Sequence, residues 1–284
     1  MQLEHKRIIT PQQIEAYITY LRQQEKSEHT QKKYRRDLQA LLAFLPQDEC
    51  SKEDLLDWKD SLCQRLAATS VNSMLAAVNG FLAFQGWLDW KLKPLKVQRS
   101  LFCQEDKELS KQEYQRLVQT AQAGRHKRLA LVIQTICATG IRVSELRFIT
   151  VRAVQNGRVE VHCKGKRRMV FLPKSLCKSL QRYLQSQGRT SGPVFVTKTG
   201  KPLDRSNIWR DMKRLCQAAR VSAQKVFPHN LRHLFARTYY AVQKDISRLA
   251  DLLGHTSVTT TRIYMQESGS VHARHIERLG LLIT

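Results

Sequence analysis

The sequence predicts a mainly α-helical protein of two domains, the second carrying one small β-hairpin. Three observations lead there. Apolar residues recur at three- and four-residue spacing through most of the chain, the period of helices with one buried face. That period fails at length only between Lys91 and Glu108. Strict apolar–polar alternation, the mark of a half-buried strand, is confined to residues 157–163 and their return at 169–172. A length of 284 residues is enough to bury a core in each domain.

Residues 1–90 read as a four-helix bundle. Thr10 with Pro11 opens the first helix, whose apolar face is Ile14, Tyr17, Ile18 and Leu21. The second buries Tyr34, Leu38, Leu41, Leu42 and Leu45. Ser51 and Asp54 form a capping-box pattern before Leu55, Trp58, Leu62 and Leu66, and Thr69 or Ser70 is expected to cap a fourth helix bearing Leu75, Val78 and Leu82. Lys32, Lys33, Arg36 and Asn72 lie on the polar faces, where they suit phosphate and base contacts and equally a plain solvated face.

Residues 91–108 follow as a basic linker, with Lys91, Lys93, Lys96 and Arg99 around Pro94; it serves either to track a nucleic-acid backbone or merely to tether. Residues 109–284 form the second domain. Ser110 and Glu113 cap a helix with Tyr114, Leu117 and Val118, and an apolar helix from Leu129 to Ile136 stops at Gly140. Arg142 then starts close to buried structure, where a lone charge is costly, so it is expected to pair with Glu145, a bound anion, or both. Lys164-Gly165-Lys166 turns the hairpin, and a later basic helix sets Arg210, Lys213 and Arg214 on one side, apt for a DNA groove or backbone or simply exposed. Ile276, Leu279, Leu281 and Leu282 give the tail an apolar set that either folds back on its own domain or docks on a neighbouring protomer.

Charge narrows the class of partner. Lys and Arg number 48 against 24 Asp and Glu, a formal +24, and residues 100–284 carry +21 of it by subtraction of the first 99. So large an excess calls for a polyanion, first of all nucleic acid. Met1 is followed by polar and charged residues, and no apolar run reaches a membrane span, so a soluble cytoplasmic protein without a membrane partner is expected. Seven scattered cysteines with no Cys-x-x-Cys pair argue for reduced thiols and against a zinc site.

The chemistry gathers between Phe227 and Tyr264. His229, Arg232 and His233 stand at i, i+3 and i+4 and share a helical face; His255 follows Gly254, and Tyr264 comes nine positions later. Singly, each reads more readily as structure than as catalyst. Together with Ala138-Thr139-Gly140-Ile141-Arg142-Val143-Ser144-Glu145-Leu146 and Lys164 in a hairpin, their order and spacing resemble the tyrosine recombinase, or phage integrase, family. The likeness spans residues 108 to 270 by motif, and the helical bundle resembles the core-binding domain of such enzymes.

The resemblance implies an active site of Arg142, Lys164, His229, Arg232, His255 and Tyr264, and a site-specific recombinase that cuts and rejoins DNA through a 3′-phosphotyrosyl bond. Physical chemistry agrees. Guanidinium groups offer paired donors to the charge gathering on an attacked phosphate, and a tyrosine with a reference pKa of about 10 needs a base such as His229. His255 is expected to orient the phosphate, Lys164 to protonate the departing 5′-oxygen with Lys166 its rival, and Glu145 to support the Arg142 turn. Because the phosphotyrosyl bond keeps the energy of the broken one, neither ATP nor metal is required, and no P-loop or carboxylate cluster is found. Expected partners are double-stranded DNA with paired recombination sites, further copies of the chain in a tetramer on DNA, and an accessory DNA-bending or directionality protein. A type IB topoisomerase-like enzyme and a non-catalytic DNA-binding protein of the same fold are the alternatives.

Overall fold

The computed structural model describes residues 6–45, 49–97, 105–124, 126–163, 166–255, 257–262, 264 and 277–278. The chain divides into two compact units, Met1–Arg99 and Ser100–Thr284.

In the first unit, α1 (Pro11–Gln23), α2 (Glu28–Leu42), α3 (Lys52–Arg65) and α4 (Ala68–Phe84) surround a core containing Leu38, Leu55, Trp58, Leu75 and Phe81. Thr10 and Ser51 complete capping boxes with Gln13 and Asp54, satisfying amides that the first helical turn leaves unpaired. The fourth helix departs from expectation. It starts at Ala68 after Ala67, without a side-chain cap, and Thr69 and Ser70 fall inside its first turn. The amide of Ser70 donates to the carbonyl of Ala67, so the turn closes before either hydroxyl reaches a capping position. A two-residue pairing of β1 (Arg7–Ile8) with β2 (Glu49–Cys50), too short to show alternation, joins the ends of the bundle's first half.

Two asparagines of α4 hold the segment that follows. Asn79 donates to the carbonyl of Leu92 and accepts from its amide, both at 2.8 Å; Asn72 does the same to Leu95, at 2.9 and 2.7 Å. Each side-chain amide thereby acts as a short length of strand. Leu92 is buried beneath, so residues 91–95 belong to the bundle although their periodicity fails.

The second unit is built on α6 (Lys127–Thr139), with α5 (Lys111–Ala123) beside it. A 3-10 helix (Val143–Phe148) and α7 (Val151–Asn156) lead to the antiparallel hairpin of β3 (Arg158–Cys163) and β4 (Lys166–Phe171). Then come α8 (Lys174–Ser186), α9 (Arg205–Ala219), α10 (Pro228–Gln243), α11 (Ile246–Leu253) and α12 (Val258–Arg262). Against α6 pack α5, α8, α9 and α10, which explains why it is apolar almost all round. Among the described residues no helix is long and apolar enough to cross a membrane. Cys50, Cys63, Cys137, Cys177 and Cys216 are free thiols.

Candidate active site

The site is assembled at the C-terminal ends of two helices. The last carbonyls of a helix have no partner within it and carry the negative end of its dipole. At the end of α11 three successive carbonyls each accept from a different arginine: Leu252 from Arg168 (2.9 Å), Leu253 from Arg232 (2.6 Å) and Gly254 from Arg142 (3.1 Å). Arg232 also donates to the carbonyl of Gly140, which ends α6, at 2.6 Å. The sequence arranges both ends through glycine. Gly140 and Gly254 have φ of +63° and +65°, and a Cβ would lie 2.4 Å from Phe235 Cδ1 at the first and 2.4 Å from Arg168 Cδ at the second.

Glu145 is the buried counter-charge. Its Oε2 accepts from the Arg142 amide at 2.9 Å and from the Arg168 guanidinium at 2.6 Å, while Oε1 accepts from the Arg142 guanidinium at 3.1 Å. Arg142 thus makes the expected pair with Glu145 and remains partly open to solvent. Two guanidiniums on Glu145, with Arg232 bound to the same helix end, leave the cluster net positive, which a phosphate is suited to offset. Arg232 is only 2% exposed. Burial, with Arg142 adding to it, pulls its pKa down to about 10, a drift opposed by nearby Tyr264. It stays charged at neutral pH.

Three imidazoles enclose the Tyr264 ring. His233 is nearest, perpendicular to it at 4.1 Å between centroids; His255 stacks at 5.4 Å and His229 lies at 5.8 Å. His255 is oriented from both sides, Nε2 at 3.0 Å from Arg232 and Nδ1 at 2.8 Å from the hydroxyl of fully buried Thr261. Burial, then the Arg232 charge, holds His255 down at about 4. His229 is lowered in the same direction by crowding and by His233 and Arg232, although the residue keeps a solvent-exposed edge that screens part of the effect. Both rings are neutral at physiological pH.

The structure thus brings Arg142, His229, Arg232, His255 and Tyr264 together. Lys164 lies outside the described residues, between paired Cys163 and Lys166. The expected DNA contacts fare differently from one another. Lys32 is exposed and paired with Glu28, and Arg36 is exposed beside Asp37. Lys33 is taken up by buried Asp37 and the Ser73 carbonyl, and both ends of the Asn72 amide by Leu95. The Asn72 amide, expected as a DNA contact, thus clamps the chain at Leu95. On α9, Arg210 and Arg214 are exposed, whereas Lys213 donates to the Ala223 carbonyl and lies over Trp209. The apolar tail falls outside the described residues.

Sequence reasoning missed Arg168 and Thr261. For Arg168 a signal existed: it has the strand parity of Val170, which is buried, so alternation already points it inward. Thr261 sits on a five-residue helix, too short for periodicity to show.

Comparison with known proteins follows the same outline. Residues 107–270 match the phage integrase family, and residues 14–87 its N-terminal SAM-like domain. The chain belongs to the phage integrase family. Its relatives include tyrosine recombinase XerA of Thermococcus kodakarensis, 31% identical with 95% of each chain covered. Another is tyrosine recombinase XerC of Lactobacillus delbrueckii subsp. bulgaricus, 28% identical over 89% of this chain and 94% of that one. Among solved structures, XerA recombinase is similar at 26% identity and a TM-score of 0.53, over 97% of this chain and 100% of that one. A lambda integrase dimer bound to a core site shares the fold at a TM-score of 0.73 and 19% identity, over 92% and 96%.

Proposed function

We propose that in this tyrosine recombinase Tyr264 is the nucleophile, Arg142 and Arg232 clamp the scissile phosphate, His255 orients it, and His229 and Lys164 move the protons. The overall reaction is cleavage and rejoining of DNA strands at specific sites. The Tyr264 oxygen attacks phosphorus and its proton passes to His229; the bond to the 5′-oxygen breaks, and that oxygen takes a proton from Lys164. The resulting 3′-phosphotyrosyl bond is reopened by a 5′-hydroxyl from the same or another duplex. Charge on the non-bridging oxygens is met by guanidiniums already fixed on helix ends, so little reorganisation is needed. Lys164 enters on its place in the sequence motif, with Lys166 as its rival.

The stacking of the Tyr264 ring on His255, whose Nε2 is 3.0 Å from Arg232, carries this reading, because it puts the attacking group beside the clamp. Exposed Arg210 and Arg214, with Lys213 between them in sequence, supply backbone contacts on the catalytic unit, and Lys32 and Arg36 on the bundle. The functional form is a tetramer on paired sites in cytoplasmic DNA, a reading supported by the fold shared with a lambda integrase tetramer bound to a Holliday junction.

A duplex nicked so that the 5′-fragment diffuses away tests the chemistry. Wild type becomes covalently attached and Tyr264→Phe does not, while both bind the duplex. An adduct with Tyr264→Phe removes the nucleophile assignment. Relaxation of plasmids that lack a site points instead to topoisomerase action.

A further inference from the structure

His233 belongs to the motif that identified the site, yet none of the proton or phosphate steps uses it. It nevertheless makes the closest ring contact to Tyr264, edge to face at 4.1 Å, and lies 4.8 Å from His229. The far side of its ring faces Glu108, whose Oε1 is 3.6 Å from Nδ1. This carboxylate is itself held: Arg237 lies 2.5 Å from its other oxygen. Arg237 also donates to the carbonyl of Leu109 at 2.8 Å, and Asn230 donates to that of Lys107 at 2.8 Å. Asn230, His233 and Arg237 recur at three- and four-residue spacing along α10, so one face of that helix clasps residues 107–109. His229 and Arg232 continue from His233 along the adjoining edge of that face.

We infer that Glu108 and His233 form a positioning pair that seats the Tyr264 ring for attack. Neither touches the phosphate. A phenol ring pivots about its Cβ, and the hydroxyl at its end sweeps the widest arc; a neighbour fixed against the ring face sets where that oxygen lies relative to phosphorus. Small errors in such a placement cost rate far more than affinity. A half-buried histidine against a half-buried carboxylate is a suitable stop: Glu108 stands 3.6 Å from Nδ1, beyond hydrogen-bond length in the resting chain but near enough to bias the ring's rotation electrostatically, while Arg237 holds Glu108. The inference rests on Tyr264 being the nucleophile.

The test is single-turnover attachment to the nicked duplex at saturating DNA, with affinity and melting temperature measured beside it. His233→Ala and Glu108→Gln each slow attachment, by about tenfold, with DNA affinity within about twofold of wild type. His233→Phe keeps a ring against Tyr264 but removes Nδ1, and slows attachment as Glu108→Gln does. Combining Glu108→Gln with His233→Phe adds no further loss, since the two act through one contact. The pair is overturned if the two losses multiply, if affinity falls in step with rate, or if His233→Phe attaches at the wild-type rate. A wild-type protein that forms no Tyr264-dependent adduct removes the underlying assignment instead, and is told apart by that control alone.

Discussion

At the scale of single residues, Arg232 does two separable jobs. Its donors satisfy the carbonyls of Gly140 and Leu253, and its charge stands beside Tyr264. Arg232→Ala is therefore expected to slow DNA cleavage by about a hundredfold or more, as loss of an oxyanion donor does. DNA affinity should change only a few-fold, and the melting temperature should fall because two buried carbonyls lose their donor. Equal losses of cleavage and affinity in a binding and single-turnover series would refute the transition-state role. On the proposed mechanism the histidines set the acid limb of the same reaction. With His255 held at about 4 and His229 lowered from its ordinary value, the rings stay neutral as pH falls through 6.5. The acid limb of the cleavage rate should accordingly lie between about pH 4 and 6.5. Stability should move with it. Over that window the unfolded chain binds protons that the folded rings refuse, so stability is present above the unfolded pKa and declines as pH falls, His255 contributing more than the partly exposed His229. Urea titrations at pH 7.5 and 5.5 check the sign.

At the scale of elements, the Leu-Leu-Gly-His run is a device for ending a helix so that three guanidiniums can bind its carbonyls. Gly254→Ala should destabilise the protein by about 1–2 kcal/mol through the left-handed backbone alone. It should also reduce cleavage, since the added carbon collides with Arg168, which Glu145 and Leu252 hold in place. A variant that melts lower but cleaves normally would show the α11 terminus to be mere scaffold. Much of this was legible beforehand. Thr10, Ser51 and Ser110 read correctly as caps because capping is local chemistry, and the hairpin read correctly because alternation is local too. Gly140 as a stop and Arg142 paired with Glu145 followed from short spacing. What escaped was long-range: Arg168 meets Leu252 across 84 positions and Asn72 meets Leu95 across 23, and no periodicity encodes either. Asn72 illustrates the limit well, since an amide on a polar helix face looks alike whether it awaits a base or a backbone.

At the scale of the whole molecule, the +24 charge predicts affinity governed by released counterions, and the partners of individual cations decide which of them contribute. Observed affinity should fall linearly on a log–log plot against salt, the slope decreasing by about 0.9 for each phosphate contact removed from duplex DNA. Arg210 and Arg214 are exposed, so replacing both with alanine should reduce the slope by nearly two while leaving the rate of attachment at saturating DNA close to wild type. Lys33 is different. Buried Asp37 and the Ser73 carbonyl already occupy its ammonium, so Lys33→Ala should leave the slope almost unchanged and lower the melting temperature, because Asp37 loses a partner. Filter binding between about 50 and 200 mM salt, with melting curves on the same samples, separates the two outcomes. A slope that falls equally for Lys33 and for Arg210 would mean that DNA draws Lys33 away from Asp37, and that the bundle's contact surface forms only on binding.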